Sequence, residues 1–230
     1  MTEGASSVAQ VRITRDGLRD GSLLALARAN MPPGATVLSD REIEADLDRT
    51  LARHPPGADL WLFGYGSLMW NPAIQFVERK SGEVRGWHRR FCLWLHGGRG
   101  SLESPGLMLA LERGGRCAGV LFRIAAAEAR SELLLAWRRE LFTGAYHSRW
   151  VRAQTSDGPV AAVTFVVNRS HAQYAGRLDE AAVAVRLASA AGALGSCAQY
   201  LASTLDALHS IGLRDRSLER LQRLIGEQRE

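Results

Sequence analysis

Lysine is almost absent from this chain of 230 residues: Lys80 is the only one, and arginine supplies the rest of the basic charge. The arginines are scattered along the sequence. A groove that binds nucleic acid needs a stripe of basic residues with exposed aromatic residues among them. The formal net charge of +5 therefore does not indicate a nucleic-acid partner.

Cysteine is scarce as well. Cys92, Cys117 and Cys197 lie far apart, no Cys-x-x-Cys occurs, and the six histidines share no spacing typical of metal ligands. This pattern argues against a zinc site and against a disulfide framework. We expect reduced, mostly buried thiols, and neither a metal nor an organic cofactor.

Long apolar stretches are missing too, since none approaches the roughly 20 residues that a membrane-spanning helix needs. The first residues, Met1-Thr2-Glu3-Gly4, lack the basic start and apolar run of a signal peptide. Together with the thiols, these absences predict a cytoplasmic protein without a membrane partner. The sequence does not indicate an oligomeric state.

The beginning of the chain is predicted to be helical. A short helix is expected over residues 23–29, and Ser39-Asp40-Arg41-Glu42 has the form of a capping box that opens a second one. The apolar stripe of this second helix is Ile43, Leu47 and Leu51. Because Pro55-Pro56-Gly57 ends the helical region, we divide the chain into an extension with a linker, residues 1–57, and a main domain, residues 58–230.

The main domain is predicted to contain strands in its centre and helices around them. Strands are expected at residues 61–63, 91–95, 107–111, 119–124 and 160–167. Helices are expected at residues 127–142, 178–191, 196–210 and 215–227, the third opened by a capping box of Ser196 and Gln199. This order favours an α+β domain over a regular βαβ winding.

The first motif with chemical potential is Phe63-Gly64-Tyr65-Gly66-Ser67-Leu68, which follows a predicted strand. Two glycines around one residue let the backbone turn sharply and bring amide N–H groups toward an anion such as a carboxylate. A plain glycine turn is the alternative. A dinucleotide site fits poorly because Met69 replaces the third glycine, and Ser67 does not lie in a Gly-x-Ser-x-Gly elbow.

The second motif is an acidic residue on the apolar face of a predicted helix. Leu133, Leu134, Trp137 and Leu141 form that face, Glu140 shares it, and Arg138 and Arg139 are predicted to point away from it. Burial raises the pKa of a carboxyl group and makes it a stronger base. The alternative is a structural glutamate paired with a buried arginine.

Two other features are weaker. His96-Gly97-Gly98-Arg99-Gly100 is a basic loop that could hold a substrate carboxylate, although a mobile hairpin loop is the simpler interpretation. His147, next to Tyr146, is expected at the surface or behind the site.

With these motifs in place, the chain resembles the ChaC-type γ-glutamylcyclotransferases, in particular the branch that acts on glutathione. The resemblance extends over about residues 60–225. The matching segments are residues 61–72, 86–92, 98–100 with 104–106, Arg139-Glu140 with Thr143-Gly144-Ala145-Tyr146, Asn168, and residues 192–201.

The resemblance implies a compact mixed β-barrel flanked by helices. It also implies that the γ-glutamyl group of glutathione cyclises and leaves as 5-oxoproline, with Cys-Gly as the second product. Glu140 would accept the proton and return it, so that no metal or cofactor is needed. The γ-glutamyl group would lie in a cradle of Leu62, Phe63, Gly64, Tyr65, Gly66, Ser67 and Leu68, and Tyr146 would orient it or Glu140.

The chain departs from the family pattern at two positions. Many members have Gly-Gly-Tyr where Gly144-Ala145-Tyr146 stands, and many have arginine where Leu107 stands. Because that arginine is missing, Arg99 is predicted to bind the distal carboxylate of the substrate. The alternative functions are a cyclotransferase for other γ-glutamyl amines or dipeptides, and a non-catalytic regulator of cation transport.

Overall fold

The computed structural model describes residues 11–29, 31 and 35–227, and three helices precede the barrel. They are α1 (Arg15–Arg19), α2 (Ser22–Ala29) and α3 (Asp40–Leu51). The predicted capping box opens α3, where Ser39 accepts from the Glu42 amide and the Glu42 carboxylate accepts from the Ser39 amide. Ile43 and Leu47 are fully buried as predicted, whereas Leu51 is only partly buried.

Five strands close into a barrel: β1 (Leu60–Gly64), β2 (Glu78–Leu95), β3 (Gly106–Ile124), β4 (Tyr146–Thr155) and β5 (Gly158–Val167). Their order is β1-β3-β2-β4-β5, and the neighbours in this order pair antiparallel. A parallel pairing of β1 with β5, at Trp61 and Ala162, closes the ring. The predicted mixed β-barrel is confirmed.

The strand boundaries were predicted less well than the fold class. Residues 107–111 and 119–124 belong to one strand, β3, because its glycine pair, Gly114 and Gly115, bends the ladder without ending it. Residues 91–95 are the end of the much longer β2. The prediction missed β4, because its outward side chains are largely polar and interrupt its apolar residues, although it forms a hairpin with β5.

Four further helices surround the barrel: α4 (Ala129–Glu140), α5 (Glu180–Ser189), α6 (Cys197–His209) and α7 (Arg216–Glu227). The two short strands β6 (Ala191–Gly192) and β7 (Gly195–Ser196) pair between α5 and α6. The predicted capping box of Ser196 and Gln199 begins α6. None of the described helices is long and apolar enough to cross a membrane.

One large hydrophobic cluster joins the barrel to its helices. It contains Leu18 from α1 and Ile43 from α3 together with residues of the barrel and of α4 to α7. Trp137 of α4 is fully buried; its ring packs edge-on against Phe165 at 5.0 Å, and its indole N–H donates to Asp46 of α3 at 2.8 Å. These contacts fix the end of α4, where the candidate catalytic acid lies.

Candidate active site

Glu140 is the last residue of α4, three positions after the anchored Trp137. Its side chain retains only 15% of its exposure. Burial raises the pKa of its carboxyl above the usual value, and the positive charge of Arg139 opposes that rise. The carboxyl group thus has the inward position and the direction of pKa shift that the helical pattern predicted.

Arg139 lies in the site, and the prediction that it points away from Glu140 was wrong. Its side chain is 5% exposed, and its Nε lies 3.0 Å from Oε1 of Glu140. Its Nη2 donates to Ser67 Oγ at 2.7 Å, and its Nη1 donates to the carbonyl of Asn71. Helical periodicity gives only the direction of Cβ, whereas a long arginine stem can fold back at the end of a helix.

Arg138, by contrast, does point away from Glu140. Its Nη1 donates to the carbonyls of Leu18 and Arg19, both at 3.0 Å. Arg138 therefore holds the N-terminal helix α1, whereas its neighbour Arg139 connects Glu140 to the glycine turn.

The glycine turn runs from the end of β1 into a 3₁₀ helix, Ser67–Met69. A Cβ on Gly66 would lie 2.6 Å from the Tyr200 hydroxyl oxygen, and a Cβ on Gly64 would lie 3.0 Å from Cβ of Leu68. Close packing therefore leaves no room for a side chain at Gly66 and little room at Gly64. The side chains of Leu62, Phe63 and Leu68 are buried in the core, so these residues can offer a ligand only their backbone.

Two buried tyrosines, Tyr65 and Tyr200, and the partly buried Tyr146 interact electrostatically with Glu140. Burial, together with that nearby carboxylate, raises the pKa of Tyr65 and Tyr146 well above the usual value and that of Tyr200 to about 12. All three therefore remain protonated phenols near neutral pH. The Tyr146 hydroxyl donates to the Leu109 carbonyl at 2.8 Å, which fixes its ring beside the site.

Tyr200 was given no role by the sequence reasoning. It lies in the first turns of α6, just after the capping box that was predicted, and its side chain packs over Gly66. The only available signal was its place in residues 192–201, one of the segments that carry the family resemblance.

Arg99 contacts the candidate site through the ring of Tyr200. Its guanidinium lies 5.4 Å from the centre of the Tyr200 ring, and its Nη1 donates to the Ser196 carbonyl at 3.0 Å. Burial lowers the pKa of Arg99, and the positive charge of Arg139 lowers it further. Two like charges held near each other favour an anion between them.

A cavity of about 320 Å³ lies beside these residues. Of the predicted site residues, Ser67 and Arg99 line it, whereas Glu140, Tyr65 and Tyr146 are not part of its lining. Glu140 is joined to the cavity wall through Arg139. The described lining residues are Val11, Arg12, Ile13, Thr14, Ser67, Trp70, Asn71, Arg99, Met108, Arg139, Leu194 and Tyr200.

Leu107, which stands where many members of the family have arginine, is fully buried in the core. Arg99, which was predicted to bind the distal carboxylate in place of the missing arginine, lines the cavity, whereas Leu107 does not. Within the part of the chain that the structure describes, no group of three or more His, Cys, Asp or Glu side chains could hold a metal ion.

The family is established by comparison with known proteins. The family model described as ChaC-like protein matches residues 60–228, and the chain therefore belongs to the ChaC-like family. The glutathione-specific gamma-glutamylcyclotransferase of Escherichia coli K12 is 43% identical over 178 residues, which cover 77% of each chain. The glutathione-specific gamma-glutamylcyclotransferase 1 of Mus musculus is 30% identical and covers 73% of this chain and 78% of its own.

A solved structure confirms the fold. The crystal structure of a yeast γ-glutamyl cyclotransferase specific to glutathione superimposes with a TM-score of 0.68, covering 74% of this chain and 96% of the yeast chain. The two sequences are 18% identical, so this likeness concerns the fold alone. The family resemblance and the fold class expected from the sequence are both confirmed.

Proposed function

We propose that this chain is a glutathione-specific γ-glutamylcyclotransferase in which Glu140 carries the proton. The activity is that of the E. coli and mouse relatives, each of which aligns over more than two thirds of its length. The assignment of Glu140 and of the residues around it is our own, since it rests on the geometry of this chain.

The observation that carries the assignment is the connection of a buried carboxyl group to the glycine turn. Arg139 bonds Glu140 through Nε and Ser67 through Nη2. The acid is therefore held at a fixed distance from the backbone that would cradle the γ-glutamyl group. Glu140 does pair with a buried arginine, as the structural alternative expected; the position of this pair against the glycine turn, with Arg139 in the cavity lining, supports the catalytic role.

The substrate supplies its own nucleophile in this reaction, so the main chemical task of the protein is proton transfer. The α-amine of the substrate attacks its own γ-carbonyl carbon, a ring C–N bond forms, and the amide bond to cysteine breaks. Glu140 takes a proton from the attacking ammonium and returns one to the departing amine of Cys-Gly. Intramolecular attack has effective molarities of about 10^5–10^8 M when the geometry is held, and that is the task of the cradle.

Electrostatics around the site support an anionic substrate. Arg99 and Arg139 line the cavity, and no Asp or Glu is among its described lining residues. Glutathione carries two carboxylates, one on the γ-glutamyl group and one on glycine. We assign the former to the turn around Gly66 and Ser67, whose amides would otherwise stabilise the oxyanion, and the latter to Arg99. Tyr146, whose hydroxyl donates to the Leu109 carbonyl, would orient Glu140 or the γ-glutamyl group.

Substrate supply supports a cytoplasmic location in this proposal. The three cysteines are free and buried, as suits a protein that works in a reducing compartment at high thiol concentration.

The direct test is to incubate purified protein with glutathione and to measure 5-oxoproline and Cys-Gly by mass spectrometry. Equal amounts of both products are expected. γ-Glutamyl-alanine, whose second carboxylate lies one residue nearer the scissile amide than that of glutathione, should be a much poorer substrate. Preference for γ-glutamyl-alanine would favour the broader cyclotransferase, and no product from either compound would favour the non-catalytic alternative.

A further inference from the structure

The N-terminal extension forms one side of the cavity. Residues 11–14, which we call the wall segment, contribute four of its described lining residues. The family match begins only at residue 60. This side of the cavity is therefore built by a part of the chain outside the matched domain.

Several contacts fix the wall segment in place. The Val11 amide donates to the Ala193 carbonyl at 2.8 Å, and Asn71 Nδ2 donates to the Ile13 carbonyl at 3.0 Å. Thr14 caps α1 through its side chain. These contacts reach both the β6–β7 hairpin and the segment after the glycine turn.

An ion pair anchors the end of the wall segment. The two terminal guanidinium nitrogens of Arg15, Nη1 and Nη2, donate to the carboxylate of Glu132 on α4, whose side chain is 2% exposed. The Gln75 amide also donates to that carboxylate, at 2.7 Å. A bidentate pair with one partner so deeply buried is strong and directional. The anchor therefore lies on the helix that ends at Glu140.

The charges around the cavity indicate that the wall segment faces an anionic ligand. Arginine occurs at three of the described lining positions, 12, 99 and 139, and no lining residue among them is acidic. The charge of Arg139 is matched by Glu140, whereas Arg99 donates to a neutral carbonyl. Arg12, an exposed residue of the wall segment, also lines the cavity. The surplus of positive charge around the cavity therefore comes from Arg12 and Arg99.

We propose that the wall segment is part of the substrate site and that Arg12, together with Arg99, binds the terminal glycine carboxylate of glutathione. This inference rests on the proposed function. The extension then determines which γ-glutamyl compounds are accepted, because a substrate with no anion at that end gains nothing from the two guanidinium groups.

The test compares glutathione with its glycine ethyl ester, which is uncharged at that end. Arg12→Ala should raise KM for glutathione about 3–10-fold, the loss expected for a partly exposed charge-assisted contact, with kcat within about twofold. KM for the ester should stay unchanged. Arg12→Lys should retain most of the affinity. Arg19→Ala removes the same charge from an exposed position on α1 outside the cavity lining, and it should change neither KM.

The proposal is overturned if Arg12→Ala leaves KM for glutathione unchanged, or raises it for glutathione and the ester by the same factor. The same comparison is then made as Kd by calorimetry with Arg12→Ala on the Glu140→Gln background, where turnover is not needed. A lack of turnover in the wild type would contradict the proposed function but leave this binding test valid. Equal Kd values for glutathione with and without Arg12 would overturn the wall assignment alone.

Discussion

The contact between Gly66 and Tyr200 gives a sharp test of how the glycine turn is built. A Cβ on Gly66 would lie 2.6 Å from the Tyr200 hydroxyl oxygen but 3.8 Å from the ring carbon that carries it. The ring cannot easily move: it is 2% exposed, with Trp70 and Phe91 packed edge-on at 6.1 and 6.2 Å and Arg99 over its face. Gly66→Ala therefore overpacks a rigid site, which costs about 1–3 kcal/mol.

Removing the hydroxyl should relieve that clash. Tyr200→Phe alone loses the hydrogen bond with the Ser67 backbone, worth about 0.5–1.5 kcal/mol. In the double variant Gly66→Ala/Tyr200→Phe the new methyl meets only the ring carbon, at an ordinary contact distance. The double variant should therefore be within about 0.5 kcal/mol of Tyr200→Phe, which makes the two substitutions strongly non-additive.

The assay is urea unfolding followed by tryptophan fluorescence, with KM for glutathione measured on the same four proteins. Gly226→Ala is the matched control, because nothing lies within 4 Å of the position of its Cβ. In the helix α7, alanine should leave stability equal or raise it by up to about 1 kcal/mol. Additive effects of the two site substitutions, or a cost below about 0.5 kcal/mol for Gly66→Ala alone, would refute the packing argument.

Two further predictions concern the ionisation of Glu140. Because the Arg139 charge lowers the pKa of Glu140, Arg139→Gln should lower kcat/KM about 10–100-fold and move the acidic limb of the pH–rate profile to higher pH. The control Arg138→Gln should leave the limb where it is in the wild type. The same limb position in both variants would contradict this prediction. Burial raises the pKa of Glu140 above its usual 4.5, so the folded protein binds this proton more tightly than the unfolded chain does. The resulting contribution to the free energy of unfolding is fully present below pH 4.5 and is lost as pH rises through the raised pKa. The unfolding temperature of Glu140→Gln should accordingly rise relative to that of the wild type as pH increases above 4.5, and a difference that does not change with pH would contradict the shift.

The parts of the fold that depend on local physics could be predicted from the sequence. The capping boxes at Ser39 and Ser196 satisfy amides within one turn, and both begin helices as predicted. Strand β3 was divided because its glycine pair, Gly114 and Gly115, resembles a turn, and β4 was missed because polar side chains interrupt its apolar residues. Local sequence patterns therefore predict where a helix begins better than they predict whether a strand continues past a pair of glycines.

The candidate site divides in the same way. The inward position of Glu140 follows from helical spacing, and the sharp turn follows from Gly64 and Gly66. The roles of Arg139 and Tyr200 do not follow, because each depends on a contact between elements more than 60 residues apart: Arg139 with Ser67, and Tyr200 with Gly66. The wall segment was placed in a separate extension for the same reason, and the division at residue 57 remains a prediction about the chain.

The most direct test of Glu140 as the proton carrier is the turnover of Glu140→Gln. The substitution keeps the size of the side chain and an oxygen for Arg139 but removes the base, so kcat for 5-oxoproline release should fall about 10^2–10^4-fold. Circular dichroism should be unchanged, and Glu128→Gln, at an exposed position just before α4, should keep full activity. A Glu140→Gln protein that folds normally and turns over glutathione within about tenfold of the wild-type rate would contradict the assignment.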